Sequence, residues 1–207
     1  MNKINELIKY GALAGVKNYT PGMSGNLSAR LNDDNLVITV SGSANGYLKK
    51  DDFVTIDFEG NLIKGNKKPS SEMMLHIAFY KKRPDINYII HVHSPYLSSF
   101  ASCNIALDEP IMAENTFYFG KIPLAEYGLP SSKDLVEKTA KFFNDFDVIL
   151  MANHGVIVGG KTIEEAYLKL ELAESYAQVV INTKLLGGAK LLSEVQVEEI
   201  NLLKRGK

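Results

Sequence analysis

The order of strand-like and helix-like segments is the feature that most limits the fold of this chain. Short runs rich in valine and isoleucine at residues 88–93, Val148–Met151 and 156–158 predict buried strands. The clearest helical periodicity belongs to a long segment that begins at Thr162. Strands and helices do not alternate regularly, so the pattern favours a central, partly antiparallel sheet with helices on its faces.

Weaker patterns fill in the remaining elements of the α/β fold. Further helices are predicted at residues 2–18, 69–82, 95–103, 131–143 and 193–204, and further strands at 36–40 and 53–57. No linker rich in proline, glycine or serine divides the chain. Residues 1–207 are therefore expected to form a single domain.

The composition argues against several classes of protein. The chain carries 23 Lys and Arg against 24 Asp and Glu, a net charge of −1, so no basic surface for nucleic acid or anionic membranes is expected. The single cysteine, Cys103, allows no disulfide within the chain, which fits a reducing compartment. The apolar runs are too short for a signal peptide or a membrane span. These features predict a cytoplasmic protein that binds neither nucleic acid nor membrane.

Three of the four histidines form a candidate metal site. His91 and His93 are two residues apart on a predicted strand, so both imidazoles leave the same face. His154 follows a second apolar strand and precedes Gly155, a residue with free backbone choice. Three imidazoles with one open position are typical of catalytic zinc, whereas a fourth protein ligand would indicate a purely structural ion.

Two residues on the helix after Pro69 are candidates for this site. Glu72 and His76 are four residues apart and share one helix face. His76 is flanked by Leu75 and Ile77, which predicts a partly buried side chain. We therefore interpret His76 as a structural or orienting group in preference to a metal ligand, while Glu72 or His76 could supply the fourth ligand of a structural ion.

Three segments of small hydroxyl, amide and glycine residues could hold a phosphate group. They are Ser24-Gly25-Asn26, Ser41-Gly42-Ser43 and Ser70-Ser71. The serine pair opens a helix, where free N–H groups and the helix dipole favour an anion. Each segment alone is consistent with an ordinary turn. Together they predict a phosphate site without a basic cluster, in agreement with the net charge.

A set of motifs in this order resembles the class II aldolase and adducin family. The motifs are GNLSAR at 25–30, ITVSG at 38–42, PSSE at 69–72, HVHSPY at 91–96 and NHG at 153–155. The resemblance implies a three-layer αβα sandwich around a mostly antiparallel, nine-stranded sheet. It also implies one Zn²⁺ per subunit and a homotetramer whose active sites lie between subunits.

The same resemblance implies a role for each matching residue. His91, His93 and His154 would be the zinc ligands, and Glu72 the acid–base group that can also contact the metal before substrate binds. The positions that would contact the substrate phosphate are Gly25, Asn26, Ser41, Gly42, Ser70 and Ser71. Two tyrosines of the family's aldolases have no counterpart here. Glu114 lies nearest to the first and is the candidate catalytic substitute for it in handling the aldehyde-side proton, and no tyrosine follows Gly188.

The function implied by the resemblance is zinc-dependent aldol cleavage. The substrate would be a ketose 1-phosphate, L-fuculose 1-phosphate or a related deoxy-ketose phosphate, and the products dihydroxyacetone phosphate and an aldehyde. Glutamate at position 72 also fits the dehydratases of this fold, so dehydration or decarboxylation of a related sugar phosphate, as in methylthioribulose-phosphate dehydratase, is an alternative. A non-catalytic module like the adducin head is a third, although such modules are not expected to keep the zinc-ligand set.

Overall fold

The structure, a computed structural model, describes residues 3–205. The helices are α1 Lys3–Val16, α2 Met73–Lys82, α3 Pro95–Ser102, α4 Ala113–Tyr118, α5 Lys133–Ala140, α6 Ile163–Leu185 and α7 Glu194–Arg205. The strands are β1 Asn26–Arg30, β2 Asn35–Thr39, β3 Phe53–Asp57, β4 Leu62–Lys64, β5 Tyr88–Val92, β6 Leu124–Ala125, β7 Val148–Met151 and β8 Gly155–Gly160. Within the described residues, no helix is both long and apolar enough to cross a bilayer.

One sheet contains these strands in the order β4-β3-β2-β1-β5-β8-β7-β6. Every neighbouring pair is antiparallel except β6 and β7, which are parallel. The prediction of a mostly antiparallel sheet is confirmed, but the expected nine strands are wrong, because residues 3–205 form eight. The contact between Val40 and Pro69 stays an isolated bridge. Proline has no N–H to donate, which limits its ability to extend that bridge into a ladder.

Helices cover both faces of the sheet. Helices α1, α3 and α6 pack on one face, where Leu27 and Ala29 of β1 belong to their apolar cluster. Helices α2 and α5 pack on the other face, against a second cluster that includes Ile38 and Ile89. Alternate strand residues supply the two clusters, as the two-residue period of a strand requires. The predicted three-layer αβα sandwich is confirmed.

The ends of the elements follow local chemistry. Thr162 caps α6, and its hydroxyl accepts the N–H of Glu165 at 3.0 Å. The predicted first helix includes residue 2, which lies outside the described residues, and α1 ends at Val16, two residues early. The single domain predicted for 1–207 also includes 1, 2, 206 and 207, which are not described, and it stays a prediction.

Candidate metal and active site

The candidate site lies at one end of the central strands, where β5 ends and β7 turns into β8. Because β5 runs antiparallel to β8, the end of β5 lies beside the β7–β8 turn. That turn carries His154, and the end of β5 carries His91 and His93. Asn153 makes the turn possible with a φ of 54°, in the left-handed region that asparagine tolerates. The fold thus brings together three histidines that are up to 63 residues apart in the sequence (154 − 91 = 63).

Two glycines allow the backbone to approach β5 closely at this point. A Cβ atom on Gly155 would lie 2.6 Å from the Val92 carbonyl oxygen and 2.7 Å from His93 Cδ2. A Cβ atom on Gly25 would lie 2.3 Å from the His91 carbonyl oxygen. Gly155 is therefore needed because a larger residue would not fit beside the candidate ligand His93. The backbone freedom expected from the sequence is secondary.

The imidazole nitrogens have a spacing that fits a metal ion. Nε2 of His91 lies 3.2 Å from Nε2 of His93. One nitrogen from each of His91, His93 and His154 lies within 4.8 Å of the others. Tetrahedral zinc with bonds of about 2.0–2.1 Å holds its ligand nitrogens about 3.3 Å apart. Nδ1 of His91 donates to the Val156 carbonyl oxygen at 2.9 Å, so Nε2 is the ring nitrogen that faces the cluster.

Glu72 projects into this cluster from the other side. Its Oε2 lies 2.9 Å from His91 Nε2, and its Oε1 lies 3.3 Å from His154 Nε2. Asn26 Nδ2 donates to Oε2 at 3.3 Å. The sequence placed Glu72 in the first turn of its helix, but the residue precedes α2 by one position. The carboxylate is therefore able to contact an ion held by the histidines.

Burial and mutual charge set the ionisation of the cluster. Burial, reinforced by a charged His91, lowers the pKa of His93 to about 3 and that of His154 to about 4. Burial acts against the charged forms of Glu72 and His91 as well, but their mutual attraction outweighs it. The pKa of Glu72 is therefore lowered and that of His91 is raised. A divalent metal requires neutral imidazoles, so His93 and His154 are already in the ligand state, whereas His91 would release a proton on binding an ion.

The candidate phosphate segments meet beside the N-terminus of α2. The Ser70 N–H donates to the Thr39 carbonyl at 2.9 Å, and the Ser41 N–H donates to the Lys68 carbonyl at 2.9 Å, so the two serine loops run side by side. Asn26 lies near them because its side chain donates to Glu72, the residue just before α2. Of the six predicted positions, Asn26 and Ser70 are buried, Gly25 is half-buried, and the exposed ones are Ser41, Gly42 and Ser71.

Glu114 occupies a different part of the molecule. It lies exposed in the first turn of α4 and lines a groove with Tyr118 and the outer face of α6 around Leu168. Within residues 3–205 the structure does not bring Glu114 into the histidine cluster.

Sequence analysis missed Glu174, which holds the chain immediately after His93. Its buried carboxylate accepts the Ser94 hydroxyl at 2.7 Å and the N–H groups of Tyr96 and Leu97 at 2.8 and 2.9 Å. These bonds satisfy the free N-terminus of α3. The available signal was a glutamate within the apolar stripe of α6.

Comparison with known proteins agrees with the fold. The class II aldolase and adducin N-terminal domain matches residues 5–181. The chain is 41% identical to an L-fuculose phosphate aldolase of Methanocaldococcus jannaschii, over 80% of this chain and 88% of that protein. It is 35% identical to a 5-deoxy-D-ribulose 1-phosphate aldolase of Bacillus thuringiensis, with 94% and 92% covered. A 3-oxo-tetronate 4-phosphate decarboxylase of Haemophilus influenzae is 34% identical, with 97% and 96% covered.

A solved structure of L-fuculose 1-phosphate aldolase superposes with a TM-score of 0.89 at 30% identity, with 98% of this chain and 94% of that chain covered. The chain belongs to the class II aldolase and adducin family. Within that family it is an enzyme of the metal-dependent aldehyde-lyase type, as the sequence motifs predict. Its three-histidine cluster is the group of side chains that could bind the metal.

Proposed function

We propose that this protein is a zinc-dependent aldolase that cleaves a ketose 1-phosphate into dihydroxyacetone phosphate and an aldehyde. The substrate is L-fuculose 1-phosphate or a related deoxy-ketose phosphate such as 5-deoxyribulose 1-phosphate, the substrates in the names of two relatives. The observation that carries the proposal is the Glu72 carboxylate, 2.9 Å from His91 within the three-histidine cluster. A carboxylate there can act on the substrate and also contact the metal.

The metal site consists of His91, His93 and His154, with one Zn²⁺ per subunit. Three imidazoles and an open position suit zinc in a catalytic role. When bound, the ion supplies positive charge next to the substrate oxygens, where negative charge develops during C–C bond cleavage. Glu72 can occupy the open position until substrate arrives, because its carboxylate oxygens already lie beside two of the imidazoles.

Glu72 transfers the proton to and from C3 of the substrate. In the condensation direction it removes a proton from C3 of dihydroxyacetone phosphate, and the resulting enediolate attacks the aldehyde carbon. The new C3–C4 bond leaves an alkoxide on the former aldehyde oxygen, which takes up one proton. Cleavage is the reverse: the C4 hydroxyl loses its proton, the C3–C4 bond breaks, and Glu72 returns a proton to C3.

The proton at the aldehyde oxygen is assigned to Glu114 of a neighbouring subunit. Its exposed position outside the cluster of its own chain supports this assignment. The assignment requires an assembly, which we propose to be a homotetramer with active sites at subunit interfaces. We also propose that the enzyme works in the cytoplasm.

The phosphate of the substrate binds at the N-terminus of α2. The candidate donors are the side chains of Asn26, Ser41, Ser70 and Ser71 and the backbone of Gly25 and Gly42, because the Ser41 N–H already donates to the Lys68 carbonyl. The helix dipole adds to their attraction for an anion. This arrangement supports recognition of a phosphorylated substrate by a chain with almost no net charge.

A second candidate function is decarboxylation of a 3-oxo acid phosphate. It is favoured by the 34% identity to a 3-oxo-tetronate 4-phosphate decarboxylase over nearly the whole of both chains. Loss of carbon dioxide leaves the same kind of enediolate as aldol cleavage, so the same ion and Glu72 would serve.

Product analysis decides between these functions. The zinc-loaded enzyme is incubated with L-fuculose 1-phosphate, with 5-deoxyribulose 1-phosphate and with 3-oxo-tetronate 4-phosphate, each with and without chelator. Dihydroxyacetone phosphate from either ketose supports the proposal. Carbon dioxide from the oxo acid together with no cleavage of the ketoses would replace the aldolase with the decarboxylase.

A further inference from the structure

Two rows of polar side chains interlock behind the candidate site. Asn26 and Ser28 are two residues apart on β1 and share the face toward α2. The facing row consists of Glu72, just before α2, and His76 and Tyr80 on α2, each four residues after the last. Two strand residues span about 6.6 Å and four helical residues about 6 Å, so the rows stay in register.

His76 joins the two rows through both of its ring nitrogens. The ring is fully buried, with Nδ1 2.6 Å from Ser28 Oγ and Nε2 2.5 Å from Asn26 Oδ1. Asn26 Nδ2 continues the chain to Glu72 Oε2 at 3.3 Å. At the other end, Ser28 Oγ lies 2.8 Å from the Tyr80 hydroxyl oxygen. A continuous line of hydrogen bonds therefore runs from Tyr80 to Glu72.

Only one arrangement of protons satisfies every hydrogen bond in this line. An ionised Glu72 can only accept, so Asn26 must turn its NH₂ group toward Glu72 and its carbonyl oxygen toward His76. That oxygen can only accept, so the proton of His76 must be on Nε2. Burial lowers the pKa of His76 to about 3, so the ring is neutral and Nδ1 accepts from Ser28. Tyr80 then donates to Ser28.

We propose that His76 is a positioning residue that fixes the amide orientation of Asn26. Without a donor at Nε2, the Asn26 amide can rotate by a half-turn and present its oxygen to the Glu72 carboxylate and to the substrate phosphate, both of which are negative. With the donor, one Asn26 N–H is aimed at Glu72 and the other is available to the phosphate. The phosphate contact rests on the proposed function, whereas the orientation rests on the hydrogen bonds alone.

The matched variants His76→Gln and His76→Asn test the role. The amide nitrogen of glutamine can reach the place of Nε2 and donate to Asn26, whereas asparagine reaches only as far as Nδ1. Inorganic phosphate is titrated into each zinc-loaded variant by calorimetry. We expect His76→Asn to bind phosphate about tenfold more weakly than His76→Gln, the effect of one misdirected hydrogen bond. Equal affinities in two folded variants would overturn the positioning role, because a packing role alone predicts similar losses.

Imidazole ¹⁵N NMR of the zinc-loaded wild-type protein tests the orientation without any substrate. The resonances of His76 distinguish a protonated from an unprotonated nitrogen. We expect the proton on Nε2, and a proton on Nδ1 would overturn the proposal even if neither variant folds. If wild-type protein shows the Nε2 proton but binds no phosphate, the phosphate part of the proposed function fails and the orienting role of His76 stands.

Discussion

Replacing Gly155 with alanine is expected to weaken metal binding without altering a ligand. The new Cβ would lie 2.7 Å from His93 Cδ2 and 2.6 Å from the Val92 carbonyl, whereas ordinary contacts begin at 3.4 Å. Relief of the first contact requires a movement of 0.7 Å (3.4 − 2.7). Metal–ligand distances vary by only about 0.2 Å, so His93 would leave its bonding position. Loss of a residue that hydrogen-bonds to a metal ligand typically lowers metal affinity by about 10- to 100-fold, and we expect zinc affinity to fall at least that much.

Gly160→Ala is the matched control at the other end of β8. Its Cβ would lie 2.6 Å from the Ala166 nitrogen, so the steric conflict is the same size but far from the histidines. Both variants should lose about 1–3 kcal/mol of stability through overpacking. Zinc dissociation constants from competition with a chromogenic chelator, with thermal unfolding in parallel, separate the two effects. Equal zinc affinity in the two variants would refute the role of Gly155.

Three further predictions concern Glu72, Glu114 and His76. Glu72→Gln should lower kcat by about 10²- to 10⁴-fold, the usual contribution of a general acid–base, while zinc content measured by elemental analysis stays at one per subunit. Glu114→Gln should lower turnover of the ketose phosphate with little change in phosphate affinity, and unchanged turnover in steady-state assays would remove Glu114 from the mechanism. Metal-free wild-type protein should lose stability below pH 6.5, because the unfolded state gains a proton on His76 that the folded state, with its pKa of about 3, does not bind. The measurement is the free energy of unfolding by denaturant at pH 7 and at pH 4.5. Between these pH values the wild-type protein should lose about 2–3 kcal/mol more stability than His76→Gln, because a bound proton contributes about 1.4 kcal/mol per pH unit.

Local sequence patterns were sufficient to predict several central strands and the longest helix. The buried strands β5, β7 and β8 and the long helix α6 follow from apolar runs, periodicity and a threonine cap. The H-x-H pair predicts two neighbouring imidazoles because the strand period alone places both on one face. The structure brings His154 to them. Metal binding by these three residues stays a prediction.

Features that depend on distant partners could not be predicted in the same way. Strand β1 was assigned no secondary structure, because Asn26, Ser28 and Arg30 alternate as polar residues whose partners lie on or next to α2, about fifty positions later. The short elements α4 and β6 have too few residues for a periodic signal. Glu174 matters only because the start of α3 lies against α6, which no local pattern reveals.

The most direct test of the central claim is a coupled assay for dihydroxyacetone phosphate with L-fuculose 1-phosphate or 5-deoxyribulose 1-phosphate. Purified enzyme is measured as isolated, after chelation, and after zinc is restored, with His91→Ala as the control for the metal site. We expect cleavage that disappears on chelation, returns with zinc and is absent in His91→Ala. Undiminished cleavage by the chelated enzyme, or by His91→Ala, would contradict it.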